Sequence, residues 1–380
     1  MQQGHKSSNT LPVGQWPGRF TGNFPGFVSF NVENSGSGSG FLCLTQGSGL
    51  PASRIEFRYE VSGSCFKGES TETKVFDEGL GRLISPQDYV ARHGNDVYFA
   101  SKIEATGEIR GSMIMGQWHG DHNESAGFCI ENPALEPAQA GAAVPLIPWL
   151  DFRERIVALQ KGGRRMVFRG HSSTSWSLCS SFHRRQRYDL CRYFDGVCDD
   201  LEQYVNSVVP APFDRRDARQ LGGLLSLAQH HGFPTPLLDW SYSPYVAAYF
   251  ALADEQAERE RRSARIYIFD SDAWCAATMQ SSNWSDPRPF LTMQEFPARN
   301  NPRHLPQQSV HMFTNLAHVE HWVRLLEKVL GQSFLTVVDI AANDRRLALQ
   351  DLDYMGINAA TLFPGLDGVC QKLRFRHFGI

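Results

Sequence analysis

The chain has 380 residues, 42% hydrophobic and 12% aromatic, which is the make-up of a folded protein with room for two domains. A formal net charge of −3 excludes a global basic field for nucleic acid, and no apolar run nears the ~18 residues that a membrane helix needs. Eight cysteines lie scattered without a CxxC pair, and the opening MQQGHKSSNT lacks the apolar core of a signal peptide, so a reducing cytoplasm is the expected setting.

Residues 11–132 read as a glycine-rich β domain. "FVSFNV" (27–32), "RIEFRYEV" (54–61), "DVYFASKIEA" (96–105) and "RGSMIMGQW" (110–118) alternate at period two between glycine-bearing turns, predicting an antiparallel barrel or sandwich. "TGNFPGFVSFNVEN" (21–34) and "MGQWHGDHNESAGFCIEN" (115–132) echo each other, which suits either two related hairpins or chance in glycine-rich sequence. The proline- and alanine-rich stretch 133–148 has linker composition.

From residue 149 to 380 helices alternate with strands, so the second half reads as α+β or mixed α/β. Helices are predicted over 150–160, over 218–232 with a glycine stop, over 243–262 as one long amphipathic segment, and over 318–331. "ARIYIFD" (264–270) predicts a strand, and "RRMVFRG" predicts another that ends in Arg169 and Gly170. Thr235 to Leu238 form a short apolar strand with Asp239 at its tip, followed by Trp240, Ser241 and a helix capped by Ser243. A strand-to-helix junction is where polar anchors and stacking platforms collect, although an aspartate fixing a turn above a buried tryptophan explains the same residues.

Several common chemistries are excluded. Gly170-His171-Ser172-Ser173-Thr174 lacks the second glycine of a serine-hydrolase elbow, and no P-loop or strand-flanked G-x-G-x-x-G is present. His318, Glu320 and His321 do not form H-E-x-x-H, so no metal is expected. The arginine runs 184, 185, 187 and 215, 216, 219 suit solvated helix faces.

Taken together, Phe168-Arg169-Gly170, Gln229-His230-x-Gly232-x-x-Thr235, Leu237-Leu238-Asp239-Trp240-Ser241 and Ala247-x-x-Phe250-Ala251 resemble the FRG domain family. Asn301-x-Arg303, Gln307-Gln308 and "GINAATLFPGLDG" (356–368) extend the likeness over about 149–380, whereas Pro236 stands where the family usually has arginine. The order of these parts is similar to that of ADP-ribosyltransferases. That resemblance implies NAD as substrate, with Arg169, Asp239, Gln307 and Gln308 as catalytic residues, and with Arg169, Gly170, His171, Trp240, Ser241 and Tyr242 binding NAD. A guanidinium is the natural bidentate partner of a pyrophosphate. Glutamine cannot supply the full charge that steadies an oxocarbenium ion, so Asp239 or Glu295 would supply it. The family analogy implies an effector or toxin, in defence against phage, that transfers ADP-ribose to a protein or nucleic-acid acceptor, with the β domain binding a regulator. A non-catalytic module binding nucleotide or nucleic acid in the same pocket is the competing reading, and a structural Arg169 paired to Asp239 is the plainer one.

Overall fold

In the computed structural model of the chain, residues 10–21, 25–34, 37–46, 50–94, 99–121, 124–135, 144–281 and 283–378 are described. Period-two alternation in the first part produces strands β1 (Gly14–Phe20), β2 (Gly26–Val32), β3 (Ser39–Gln46), β4 (Ser53–Ser62), β5 (Cys65–Asp77), β6 (Arg82–Ile84), β7 (Ile103–Arg110), β8 (Met113–Gly120) and β9 (Ser125–Glu131). Each neighbour pairs antiparallel in the order β1-β2-β3-β4-β5-β7-β8-β9, and β9 returns to β1. The result is a closed barrel, which settles the choice between barrel and sandwich. β6 pairs with the far end of β5.

Side chains fill the barrel. Trp16, Phe30, Phe57, Tyr59 and Phe66 are buried, and the ring of Phe30 meets those of Phe57, Tyr59 and Phe66 edge-on. An eight-stranded barrel is just wide enough for such a core. The glycine content follows from tight coiling: a Cβ at Gly18 or Gly116 would sit 2.0 Å from the carbonyl oxygen of Cys129 or Thr106. The two echoing segments lie on the β1–β2 and β8–β9 hairpins, with turn residues 22–24 and 122–123 outside the described residues.

The second sheet contains β10 (Leu146–Ile147), β11 (Met166–His171), β12 (Leu237–Ser241), β13 (Ala264–Asp270), β14 (Leu291–Gln294), β15 (Ser309–Thr314) and β16 (Leu335–Ile340), ordered β10-β16-β13-β11-β12-β15-β14. β10 runs parallel to β16 and the other pairs are antiparallel, so this is a mixed sheet. β11 and β12 register at one pair, Phe168 with Ser241, and from there the sheet parts into two leaves. Helices Trp149–Gln160, Pro244–Leu252 and Arg345–Tyr354 cover Phe168, Ile266, Ile268 and Val338 on one face. Trp240, Tyr267, Phe269 and Trp274 pack with Val319 and Val323 of helix Val319–Leu330 on the other.

Four expectations change. Leu146 and Ile147, read as linker, add to the sheet as β10, because a two-residue edge strand carries no readable period; linker residues 136–143 lie outside the described residues. The long helix over 243–262 breaks after Leu252, where the Asp254 carboxylate accepts from Ala257 N at 3.0 Å and starts the separate helix Glu255–Arg259. β11 runs on to His171, so Arg169 lies within it. Asp239 sits in the middle of β12, opposite His311, and not at a tip, since Pro236 delays the strand start to Leu237.

The barrel docks on the second part through an apolar cluster of Phe41, Tyr188 and Ala317 and through polar groups. Glu33 Oε1 accepts from the backbone N–H of Tyr188 and Asp189 at 2.5 and 2.9 Å, and the Arg54 guanidinium grips both oxygens of Asp189 at 2.7 and 2.8 Å. Arg54 also lies over Phe41, 4.1 Å from the ring centroid, and the pair's side chains are 11% and 14% exposed. Removing one partner of so enclosed a pair leaves an uncompensated charge, which costs roughly 3–5 kcal/mol. Arg54→Met is therefore expected to lower the unfolding free energy measured in urea by that order, and adding Asp189→Leu should recover most of it; a single variant as stable as wild type would refute the buried pair.

Candidate functional site

Gly170 sets the position of the site. A Cβ there would lie 1.9 Å from Ala247 O and 2.8 Å from Ala251 N, so β11 and helix Pro244–Leu252 meet backbone to backbone. The Arg-Gly and Ala-x-x-Phe-Ala patterns are two sides of one contact. Gly170 thus makes room for a helix of its own chain, and it also borders the cavity described below. Along the strand Phe168 and Gly170 face that helix, while Arg169 and His171 face the other way. Gly170→Ala is expected to cost at least the roughly 1–3 kcal/mol of ordinary overpacking, read from urea unfolding, because backbone atoms cannot rotate aside.

Arg169 reaches across the opening between the leaves. Its Nη1 donates to the backbone oxygen of Asp239, and its Nε donates to His171 Nε2 at 3.2 Å. The other ring nitrogen of His171 lies 3.2 Å from Trp176 O. A ring that accepts at Nε2 and donates at Nδ1 is neutral, and burial followed by the Arg169 charge pushes its pKa down to about 3. Arg169 binds the Asp239 carbonyl, so the plain pairing of guanidinium with carboxylate is not what the structure contains. The Asp239 carboxylate faces His311 Nε2 at 3.5 Å, and its buried Oδ1 has no hydrogen-bond partner among the described residues. Burial alone would raise its pKa, but His311, His230 and Arg169 hold the carboxyl below its ordinary value.

A cavity of about 940 Å³ opens at this split. Arg169, Arg184 and Arg303 supply positive charge, Asp239 and Asp254 negative charge, and Trp176, Phe250 and Phe363 aromatic wall. Trp176 is half exposed, Phe250 and Phe363 meet edge-on at 5.9 Å, and Arg303 lies over Phe363 at 5.4 Å. Asp254 accepts from Ser172 Oγ at 2.7 Å, and the buried Arg345 caps the end of helix Pro244–Leu252 by donating to the carbonyls of Leu252 and Asp254. Gln229 accepts from Thr235 Oγ1 and Gly232 takes φ +84°, so the Gln-His-x-Gly-x-x-Thr pattern shapes the helix-to-strand turn beside the cavity.

Other expected site residues lie elsewhere or do structural work. Trp240 borders the cavity, but it is 2% exposed with its ring against Phe269 at 5.6 Å, so most of its side chain packs in the core. Ser241 Oγ donates to Gln307 O at 2.7 Å and accepts from Ser243 N at 3.0 Å. Tyr242 donates to Glu295, and neither borders the cavity. Gln307 borders it but donates to Leu362 O at 3.0 Å, while Gln308 is an exposed turn residue at φ +47° outside the cavity. Glu320 accepts from Leu178 N and Tyr267 OH, each at 2.8 Å, as a structural acceptor. Among the described residues no group of three or more His, Cys, Asp or Glu is arranged to hold a metal ion. Sequence reasoning missed Trp176, Arg184 and Asp254, which sit in loops or in apparent charge runs. Arg303, Phe250 and Phe363 were visible only as parts of short patterns.

Behind the cavity, buried imidazoles give a pH signature. Burial lowers His171 and His183 to about 3, and His311 and His318 to about 4. In the unfolded chain each takes a proton near 6.5. Between about pH 6.5 and 4 the unfolded chain binds protons that the folded chain refuses, so these groups leave stability intact above that window and erode it as pH falls through it. The melting temperature should fall steadily from pH 7 to pH 4.5; a flat profile would contradict neutral burial of these rings.

The comparisons agree with the geometry. Residues 164–260, which carry Arg169, Gly170, Gln229, Asp239 and Phe250, match the model of the FRG domain. No curated protein and no solved structure matches the chain. Residues 164–260 are thus identified as an FRG domain.

Proposed function

We propose that the cavity between the leaves binds NAD and that Asp239 assists cleavage of its nicotinamide–ribose bond, in the manner of an ADP-ribosyltransferase. One observation carries this reading: Arg169 and Asp239 meet at the wall of a single cavity of about 940 Å³, near the upper end of the range for small-ligand pockets. Arg169, Arg184 and Arg303 suit a pyrophosphate, and Trp176, Phe250 and Phe363 offer flat surfaces for the two ring systems. The carboxylate of Asp239, held ionised by its neighbours, is placed to steady the positive charge that grows on the ribose as nicotinamide leaves. The macromolecular acceptor would approach through the open side. Eight unpaired cysteines fit a cytoplasmic effector or toxin. Among the described residues no helix is long and apolar enough to cross a membrane.

A second reading, nucleotide binding without chemistry, has its own support. Among the described residues no glutamate borders the cavity, and the Gln307 amide is tied to Leu362 O. Calorimetric titration with NAD beside measurement of nicotinamide release separates the two. Arg169→Lys keeps charge but loses the fork, so affinity should fall roughly ten- to a hundredfold. Loss of the cross-leaf bond should cost about 1 kcal/mol of stability. Asp239→Asn should abolish nicotinamide release while NAD affinity changes little. Binding without release by the wild type supports the second reading, and a folded wild type that binds no NAD sinks the first.

A further inference from the structure

We infer that a second cavity beside the first takes the terminal phosphate of a nucleotide or of a nucleic-acid end. This cleft, about 520 Å³, has Arg169, Arg184, Arg185 and Asp239 in its wall, with Phe233 and Pro234 beside them. Arg169, Arg184 and Asp239 border both cavities, so whatever enters the second lies next to the same carboxylate from the other side. Three guanidiniums against one carboxylate leave two positive charges. A phosphomonoester carries about −1.5 to −2 at neutral pH and matches them, whereas an internal phosphodiester or a carboxylate brings a single charge.

Arg169 is already tied to Asp239 O and His171, whereas Arg184 and Arg185 are presented to the cleft. Arg184 donates one N–H to Cys179 O at 2.9 Å, and neither Arg184 nor Arg185 pairs with a carboxylate among the described residues. Gln186, at φ +57°, turns the chain directly after them, and Glu33 of the barrel then holds Tyr188 and Asp189 by their backbone N–H groups. Phe233 and Pro234 form an apolar edge suited to a base or ribose.

The role that follows rests on the NAD reading: the bound phosphate would be the acceptor of ADP-ribose. A phosphate oxygen forms a bond to the ribose C1′ of NAD, the C1′–nitrogen bond breaks, and nicotinamide departs neutral with that electron pair. The phosphate arrives deprotonated, so no proton need be moved.

Arg185 borders the second cavity and not the first, which makes it the probe. The full chain is titrated with a short 5′-phosphorylated oligothymidylate, its unphosphorylated twin, and thymidine 5′-monophosphate as competitor. The phosphorylated strand should bind at least tenfold more tightly than its twin. Arg185→Ala should weaken that binding roughly ten- to a hundredfold, Arg185→Lys less, with melting temperature and NAD affinity unchanged. Full competition by the mononucleotide supports a free nucleotide as the source, and weak competition supports a nucleic-acid end. Equal binding of the two strands, or an Arg185→Ala variant that binds as wild type does, overturns the inference. The titration needs no NAD, so failure of the NAD reading and failure of this one are read separately.

Discussion

The backbone contact between Gly170 and Ala247 fixes where the rest of the site can be. Any side chain at position 170 would hold helix Pro244–Leu252 off the sheet, and the burial of Val246, Ala247, Ala248 and Ala251 would be lost with it. Once the helix is seated, Phe250 is carried to the cavity wall and the chain leaves the helix at Asp254, which then reaches Ser172 at the end of β11. One glycine therefore places an aromatic wall, a carboxylate and the strand that holds Arg169. The three residues that name the family divide the work: Phe168 packs on the helix face, Arg169 bridges the leaves and Gly170 admits the helix.

Parting a sheet leaves main-chain groups without their ladder partners, and buried ones must find others. Arg169 answers part of this need by donating to the carbonyl of Asp239 in the opposite leaf. That use of the guanidinium frees the Asp239 carboxylate from any direct arginine bond, which is why the carboxylate remains available in the cavity wall. Neutral His171 completes the arrangement: protonated, it could not accept from Arg169 Nε, so burial that keeps it neutral also keeps Arg169 aimed across the gap.

Much of this was legible in the sequence, for physical reasons that differ by element. Barrel strands such as β4 alternate because one face fills the core, so Ile55, Phe57 and Tyr59 announce themselves. β11, β12 and helix Pro244–Leu252 were visible as short patterns because Gly170, Thr235 and the alanines are constrained by backbone geometry and not by size alone. Trp240 misled because sequence order alone does not show which face of a strand a residue takes; a correct strand start at Leu237 would have put Leu238 and Trp240 together in the core and Asp239 opposite them. Gln307 and Gln308 misled for a similar reason: they lie in the turn before β15, where one side chain points in and the other out. Trp176, Arg184 and Asp254 had no signal, since loops carry no period and an exposed arginine run looks like any solvated surface.

The barrel adds a constraint that neither half carries alone. Arg184 borders both cavities and Arg185 the second, and the residues that follow them are held by Glu33 and Arg54 of the barrel. Further along, Gln15 of the barrel donates to Asn315 O and accepts from Ala317 N, just beyond the end of β15, the strand that carries His311 opposite Asp239. The barrel interior is packed with aromatic rings, so its contribution to the site is through this outer surface. The barrel is thus coupled to the charge of the cleft through the segment that carries Arg184 and Arg185.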